Sequence, residues 1–411
     1  MNILLIHQYF LEEDDSGGTR FNEITKIWTE EGHNVSVLAG MIHYGGNKKR
    51  AEYKGKWVVA KRQGNVSVWR CHVSESYNSS FTGRMWGYFS FVFSSLYAGF
   101  FKLKGKFDIV VVTSPPLFVG ITAYLLSKTQ RIPILFEIRD LWPESAIDTG
   151  VLKNRLLIKS AYAFERFIYK KAKLINVLTP AFKEKLITEK NVASEKIIFI
   201  PNAANFSLSD ELLQHFDREH FRETNGYNGK FIITYVGAHG VANHLQQIIE
   251  TSELLKDTPI LFLLIGQGME KKRLIELAEK MQCTNVVFLD PVPKNEVLKY
   301  IIASDMGTSV LKRTDTFKTI YSNKTFDYMS CQKPILMAID GVSRELVEKA
   351  DAGMFVEPEN PEDFAQKIRI YLNNPGLVKK QGENGYRYAK QYFDRSVLAK
   401  QYLSKIQRIC N

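Results

Sequence analysis

Three stretches of this sequence gather ionisable side chains and glycines in patterns that can do chemistry. The first is Glu137-Ile138-Arg139-Asp140-Leu141-Trp142-Pro143-Glu144, directly after the apolar run 134–136. Asp140 can accept or orient a hydroxyl proton, Arg139 can stabilise negative charge on a leaving phosphate, and Glu137 completes the catalytic candidates. The same residues would also make a plain salt-bridged turn. The second stretch holds two glycine pairs, Gly237 and Gly240 in YVGAHG and Gly266 and Gly268 in IGQG. Amides of such turns can cradle a diphosphate, and Lys271, Lys272 and Arg273 follow the second pair as candidate counter-charges, Lys272 being the chosen one. The third stretch runs from Lys312 to SNKTFDYMS. Ser322 or Asn323 can cap a helix there, Lys312 and Lys324 can neutralise a diphosphate, and Asp327 can accept hydrogen bonds from the hydroxyls of a ribose. As a bland alternative, Asp327 only favours the helix dipole. A weaker fourth signal is Ser16-Gly17-Gly18-Thr19-Arg20. Gly17 and Gly18 let a backbone approach a phosphate ahead of a helix, with Arg20 as its partner.

Parallel doubly wound sheets would bring these stretches to strand ends. Short apolar runs at 2–6, 35–38, 66–70, 108–113, 134–137, 174–177 and 197–200 alternate with helical patterns in the first half. Runs at 231–236, 260–265, 286–289, 306–310, 334–337 and 353–356 do so in the second. Continuous apolar runs suit strands buried on both faces, and the βα alternation makes each half an α/β Rossmann-like domain. The 411 residues divide as 1–203, 204–385 and a helix at 386–411 returning to the first domain. Ligands of such sheets bind beyond the carboxyl ends of the strands, so a cleft between two facing sheets is the expected place for the reaction.

The net charge is +11. Residues 48–70 carry eight Lys/Arg against one acid, and residues 151–196 carry eleven against four. The positive charge therefore belongs to the first half and suits anionic lipid or a diphosphate. With no base-reading motif, nucleic acid is not expected as a partner. Residues 85–101 contain no charge and are followed by Lys102, Lys104 and Lys106. This stretch reads as a helix lying in a membrane interface or packing on the first domain. No signal peptide pattern is present, and the four scattered cysteines read as reduced cytosolic thiols. A cytoplasmic protein on the inner face of the membrane is expected.

Taken together, Gly17–Arg20, EIRDLWPES, IPNAAN, YVGAHG, IGQG and SNKTFDYMSCQKPIL resemble the family 4 retaining glycosyltransferases of the GT-B fold. The resemblance extends to members that build O-antigen and capsular polysaccharide, including L-fucosamine-type transferases. It covers nearly the whole chain and implies an acceptor on the first domain, a nucleotide on the second and retention at the anomeric carbon. It further implies a UDP-sugar donor, an N-acetylated or deoxy hexose to be moved, and an undecaprenyl-diphosphate-linked acceptor. Neither cofactor nor metal is expected, because cations and helix N-termini can hold the diphosphate. Two departures stand out. Many relatives carry a glutamate eight residues before the position of Asp327, where this chain has Thr319. Many also have a His where this chain has Arg139-Asp140. Two other readings compete: a sugar-nucleotide epimerase, and a catalytically silent subunit of a polysaccharide assembly complex.

Overall fold

The computed structural model describes residues 1–15, 17–42, 48–78, 81–148 and 152–410; Ser16 of the glycine loop lies outside them. Two units emerge. One comprises residues 1–15, 19–201 and 396–411, the other 17–18 and 202–395. The chain passes from the first unit to the second after residue 201. It returns at residue 396, so the helix Pro375–Tyr392 belongs to the second unit and the helix Arg395–Cys410, from its second residue on, to the first. Trp28 anchors that last helix by donating its indole N–H to the Ala399 carbonyl at 3.0 Å.

The first unit holds an eight-stranded sheet. In chain order its strands are β1 (Asn2–Ile6), β2 (Asn34–Gly40), β3 (Val58–Gln63), β4 (Val66–Cys71), β5 (Ile109–Ser114), β6 (Ile134–Ile138), β7 (Leu174–Val177) and β8 (Ile197–Phe199). Their spatial order is β3-β4-β2-β1-β5-β6-β7-β8. The pairings are parallel except β3 with β4. β3 is an addition to the expected strands. Its Lys-Arg-Gln end breaks the apolar run, as an edge strand tolerates, and Gly64-Asn65 turns it back into β4. Gly64 takes φ +55°, which glycine adopts freely.

The second unit holds six parallel strands: β9 (Phe231–Val236), β10 (Ile260–Ile265), β11 (Val286–Leu289), β12 (Met306–Val310), β13 (Ile335–Ala338) and β14 (Gly353–Phe355). Their order is β11-β10-β9-β12-β13-β14. Every residue of β5, β10 and β12 is buried, as a strand covered by helices on both faces requires. Ile233, Phe262, Leu264, Leu336, Phe364 and Ile368 close the core on one side of this sheet. Strand order reverses between β1 and β5 in the first unit and between β9 and β12 in the second. These reversals open a crevice at the strands' carboxyl ends.

The charge-free stretch 85–101 lies within the helix Phe81–Phe101. Phe91, Val92, Ser94, Ser95 and Ala98 are buried, while Trp86, Phe93, Phe100 and Phe101 are exposed. Among the described residues no helix is long and apolar enough to cross a membrane. The basic segment 48–70 is less open than its composition implies. Arg50 pairs with Asp14 and Asp15, Lys61 with Glu12 and Glu52, and Arg70 is buried against Glu12 at 3.0 Å.

Candidate active site

In the first unit, β1, β5 and β6 lie side by side, so the residues at and just past their carboxyl ends are neighbours. These are His7, Thr113, Ser114, Arg139 and Asp140. The Arg139 N–H donates to the Ser114 carbonyl at 2.9 Å, which extends the β5–β6 pairing past the sheet. His7 is buried, with Nδ1 2.6 Å from Thr113 Oγ1 and Nε2 3.4 Å from an Arg139 guanidinium nitrogen. A guanidinium only donates, so Nε2 accepts and the ring proton sits on Nδ1, facing the hydroxyl. Burial first, then the charges of Arg139, Arg20 and Arg70, hold the His7 pKa well below its usual value. The ring is neutral. Asp140 is shifted the other way. Burial raises its pKa to about 6, with the Glu144 charge adding, while the Ser145 side chain and the Leu141 N–H hold it down. An aspartate with that proton affinity is charged at neutral pH yet able to take a proton.

Arg20 and Glu137 serve otherwise than the sequence led us to expect. They form a fully buried two-point ion pair, Nε to Oε1 and Nη2 to Oε2, both 3.0 Å. Asn176 Nδ2 and the Tyr402 hydroxyl also donate to Glu137, at 2.9 and 3.1 Å. Arg20 further donates to the Ile200 carbonyl at 2.8 Å and to that of Pro201. This network fastens the first helix and the last helix to β6 and to the end of β8. The correction has a simple physical origin. Glu137 sits inside the strand, not past its end, and a carboxylate there is buried and must be paired. Of the neighbouring loop, Gly17 takes φ +144°, whereas a methyl group at Gly18 would meet open space.

In the second unit the two glycine turns interlock. A methyl group at Gly266 would lie 1.9 Å from the Gly237 carbonyl oxygen, and one at Gly268 would lie 2.3 Å from that of His239. Only glycine allows this approach, and Gly266 also holds φ +153°. The Gly237 amide donates to Ile265, the His239 amide to Gln267 and the Gly266 amide to Leu289, at 2.9 to 3.1 Å. The first two amides join the turn after β9 to the end of β10, the third ties Gly266 to the end of β11, and the Gly240 amide reaches Asn243 Oδ1 at 3.4 Å. His239 is fully buried between Tyr235 and Phe288, and burial takes its pKa to about 4, so it packs as a neutral ring.

Lys324 is the cation brought to the first turn. Its Cε would lie 3.2 Å from a methyl group on Gly237, and Nζ stands 4.8 Å from the Tyr235 ring centroid and 3.5 Å from Ser322 Oγ. Burial lowers its pKa to about 8, while Asp327 raises it. Asp327, three residues on along the helix Asn323–Ser330, is ion-paired to Lys294 at 2.5 Å. Tyr328 fixes this helix to the sheet. Its hydroxyl donates to the Thr308 carbonyl and accepts from the Val236 amide, both at 3.1 Å. Lys312 follows β12, and its N–H reaches the Ala242 carbonyl at 2.9 Å, joining the two loops at the strand-order reversal. Among the described residues nothing pairs with its ammonium.

Other expectations for this unit need correction. Lys272 is exposed and pairs with Glu276 of its own helix at 3.8 Å. Lys271 instead reaches the turn, donating to the Gly266 and Leu289 carbonyls at 3.0 Å and to Asp290 at 2.7 Å. Asn323 is exposed, and neither it nor Ser322 caps its helix through a side chain; Ser322 Oγ lies instead 3.0 Å from Ser309 Oγ. Thr319 donates to the Thr316 carbonyl within its own turn. Sequence reasoning missed His7 and Lys294, and among the candidate cations after the second glycine pair it chose Lys272 over Lys271. Lys271 was visible as the neighbour of the chosen residue, whereas nothing local marks Lys294 as the partner of Asp327. Among the described residues, no group of three His, Cys, Asp or Glu is placed to hold a metal ion.

Comparison with known proteins agrees with this two-part organisation. Residues 17–203 match the glycosyl transferase 4-like domain, and residues 216–388 match the glycosyl transferases group 1 family. The putative colanic acid biosynthesis glycosyl transferase WcaI of Escherichia coli K12 is 23% identical over 99% of this chain and 100% of its own. Among solved structures, Anabaena Alr3699/HepE in complex with UDP-glucose superposes with a TM-score of 0.72 at 15% identity, covering 99% of this chain and 100% of that one. WaaG, a glycosyltransferase involved in lipopolysaccharide biosynthesis, superposes with a TM-score of 0.71 at 18% identity, covering 98% and 99%. With both domain types present in this order, the chain is a glycosyltransferase of the group 1, GT4-like kind, built on the GT-B fold.

Proposed function

We propose that this glycosyltransferase works with retention and moves an N-acetylated or deoxy hexose, of the L-fucosamine type, from a UDP-sugar to a saccharide on undecaprenyl diphosphate. It does so at the cytoplasmic face of the inner membrane during O-antigen or capsular polysaccharide assembly. The reading draws on WcaI and WaaG for the polysaccharide setting and on HepE for the uridine nucleotide. One observation carries it. Lys324 lies against the Gly237 turn, with Asp327 on the same helix, at the strand-order reversal where nucleotides bind such sheets. In this reading Lys324 and Lys312 balance the diphosphate in place of a metal, and Asp327, held by Lys294, accepts from the ribose hydroxyls. In the first unit Asp140 orients or receives the acceptor's proton, and Arg139, braced by the neutral His7, meets developing negative charge. The test is calorimetric titration of UDP, GDP and dTDP into the purified chain, followed by a transfer assay with the matching sugar nucleotides. UDP binds most tightly, and Asp327→Ala weakens it at least tenfold. Equal affinity in that variant removes the nucleotide site, and nucleotide binding with neither transfer nor donor hydrolysis returns the silent-subunit reading.

A further inference from the structure

Trp57 stands just before β3 with 45% of its surface in water. It is not a loose ring. Its carbonyl accepts from the His72 amide at 2.9 Å, which takes the β3–β4 pairing one step past Val58 and Cys71. Its indole stacks on the His72 imidazole, with ring centroids 4.8 Å apart and planes 21° from parallel. His72 is fixed in turn. Ser94 of the helix Phe81–Phe101 donates its hydroxyl to the His72 carbonyl at 2.7 Å, and Lys49 Nζ lies 2.6 Å from His72 Nδ1. An ammonium only donates, so Nδ1 accepts and the ring proton sits on Nε2. Burial, then the Lys49 charge, holds the His72 pKa below its usual value, and the ring is neutral. The Lys49 amide donates to Glu75 Oε1 at 2.8 Å, which brings an exposed carboxylate to the same place. Among the described residues nothing accepts from the Trp57 indole N–H or from His72 Nε2.

The stack lies at the same edge of the first sheet as His7. Gly40 of β2 pairs with Cys71 of β4 and donates its amide to the Gln8 carbonyl at 2.8 Å, so His72 stands level with the residues just past β1. In the strand order β3-β4-β2-β1 the indole is three strands out from His7, about 14 Å at about 4.8 Å per strand. That is the reach of a short oligosaccharide rather than of one sugar. A half-open indole held in one orientation, with N–H donors and a carboxylate at its rim, matches a ligand that has C–H groups on one face and hydroxyls round its edge. A pyranose has that form, whereas a hydrocarbon chain would cover the ring and leave the donors unmet. We propose that Trp57 and His72 form an outer acceptor subsite, which holds a pyranose of the saccharide set back from the sugar that reacts. The proposal rests on the transferase reading and extends it: the acceptor already bears several sugars, placed by earlier glycosyl transfers.

The test is saturation-transfer NMR of the full chain with triacetylchitotriose, maltotriose and β-galactotriose. Stacking reads the C–H face of a ring more than its linkage, so the parent binds at least one of the three. Trp57→Ala weakens that binding about tenfold, the scale of truncating one aromatic anchor. Trp57→Phe keeps most of it, and both variants melt with the parent because the ring is largely outside the core. Equal binding by Trp57→Ala and the parent overturns the proposal, as does a parent that binds none of the three. Loss of phosphatidylglycerol vesicles by Trp57→Ala, with the trisaccharide retained, gives the ring to a membrane and overturns it too. Saccharide binding needs no donor, so its failure leaves the transferase reading standing. A folded parent that binds a trisaccharide at Trp57 yet neither transfers from nor hydrolyses any sugar nucleotide fails that reading and leaves a saccharide site.

Discussion

Lys324 makes the donor site testable by pH alone. In the free chain burial lowers its pKa to about 8, so the ammonium is about nine-tenths charged at pH 7 and about one-tenth charged at pH 9. A diphosphate oxygen about 4 Å away attracts it by about 4 kcal/mol at an effective dielectric constant of about 20, equivalent to about three pKa units. With nucleotide bound, Lys324 therefore stays charged over that whole interval. Binding above pH 8 then takes up a proton, and the Kd for UDP rises about tenfold between pH 7 and pH 9, where the phosphates are already ionised. Calorimetry in two buffers of different ionisation enthalpy measures the proton directly. Lys324→Met weakens binding at pH 7 and flattens the profile. In the unliganded chain the sign is opposite. The unfolded lysine keeps its proton toward the usual 10.5, so stability rises as pH climbs from about 8 to that value. A parent Kd that is level from pH 7 to 9, or a Lys324→Met profile as steep as the parent's, refutes the placement of this ammonium on the diphosphate.

Three other substitutions separate scaffold from chemistry. Glu137→Gln leaves Arg20 as a buried charge without its carboxylate; the loss is about 3–5 kcal/mol, seen as a lower Tm with UDP affinity intact. Gly266→Ala puts a methyl group 1.9 Å from the Gly237 oxygen at φ +153°; the second unit loses about 1–3 kcal/mol and UDP binding falls with it, and an unchanged Tm contradicts the interlocked turns. If Asp140 acts as a carboxylate, kcat/KM falls as pH drops through about 6. Asp140→Asn then removes that limb together with about 10²–10⁴ of the rate. A parent profile without an inflection there excludes it as the titrating group.

What the sequence discloses depends on whether a feature is local. Thirteen of the fourteen strands of the two sheets could be read closely because most are short apolar runs, and the glycine turns because each glycine pair directly follows such a run. Candidate residues fared by the same rule. Lys324 and Asp327 share a helix, so their spacing alone predicts that they are neighbours. His7 and Arg139 are 132 positions apart and meet only because β1, β5 and β6 are adjacent, an order that spacing does not encode. Charge behaves likewise. A count over 48–70 sees eight cations and misses Glu12, Asp14 and Asp15, which lie outside the window and neutralise several of them. The same count over 155–171 sees Glu165 and credits it to the surface, though it is buried under Lys190. The windowed sum therefore overstates the first patch and understates the second. The field that a membrane or a diphosphate meets is set by the cations left unpaired after folding, and folding decides that pairing.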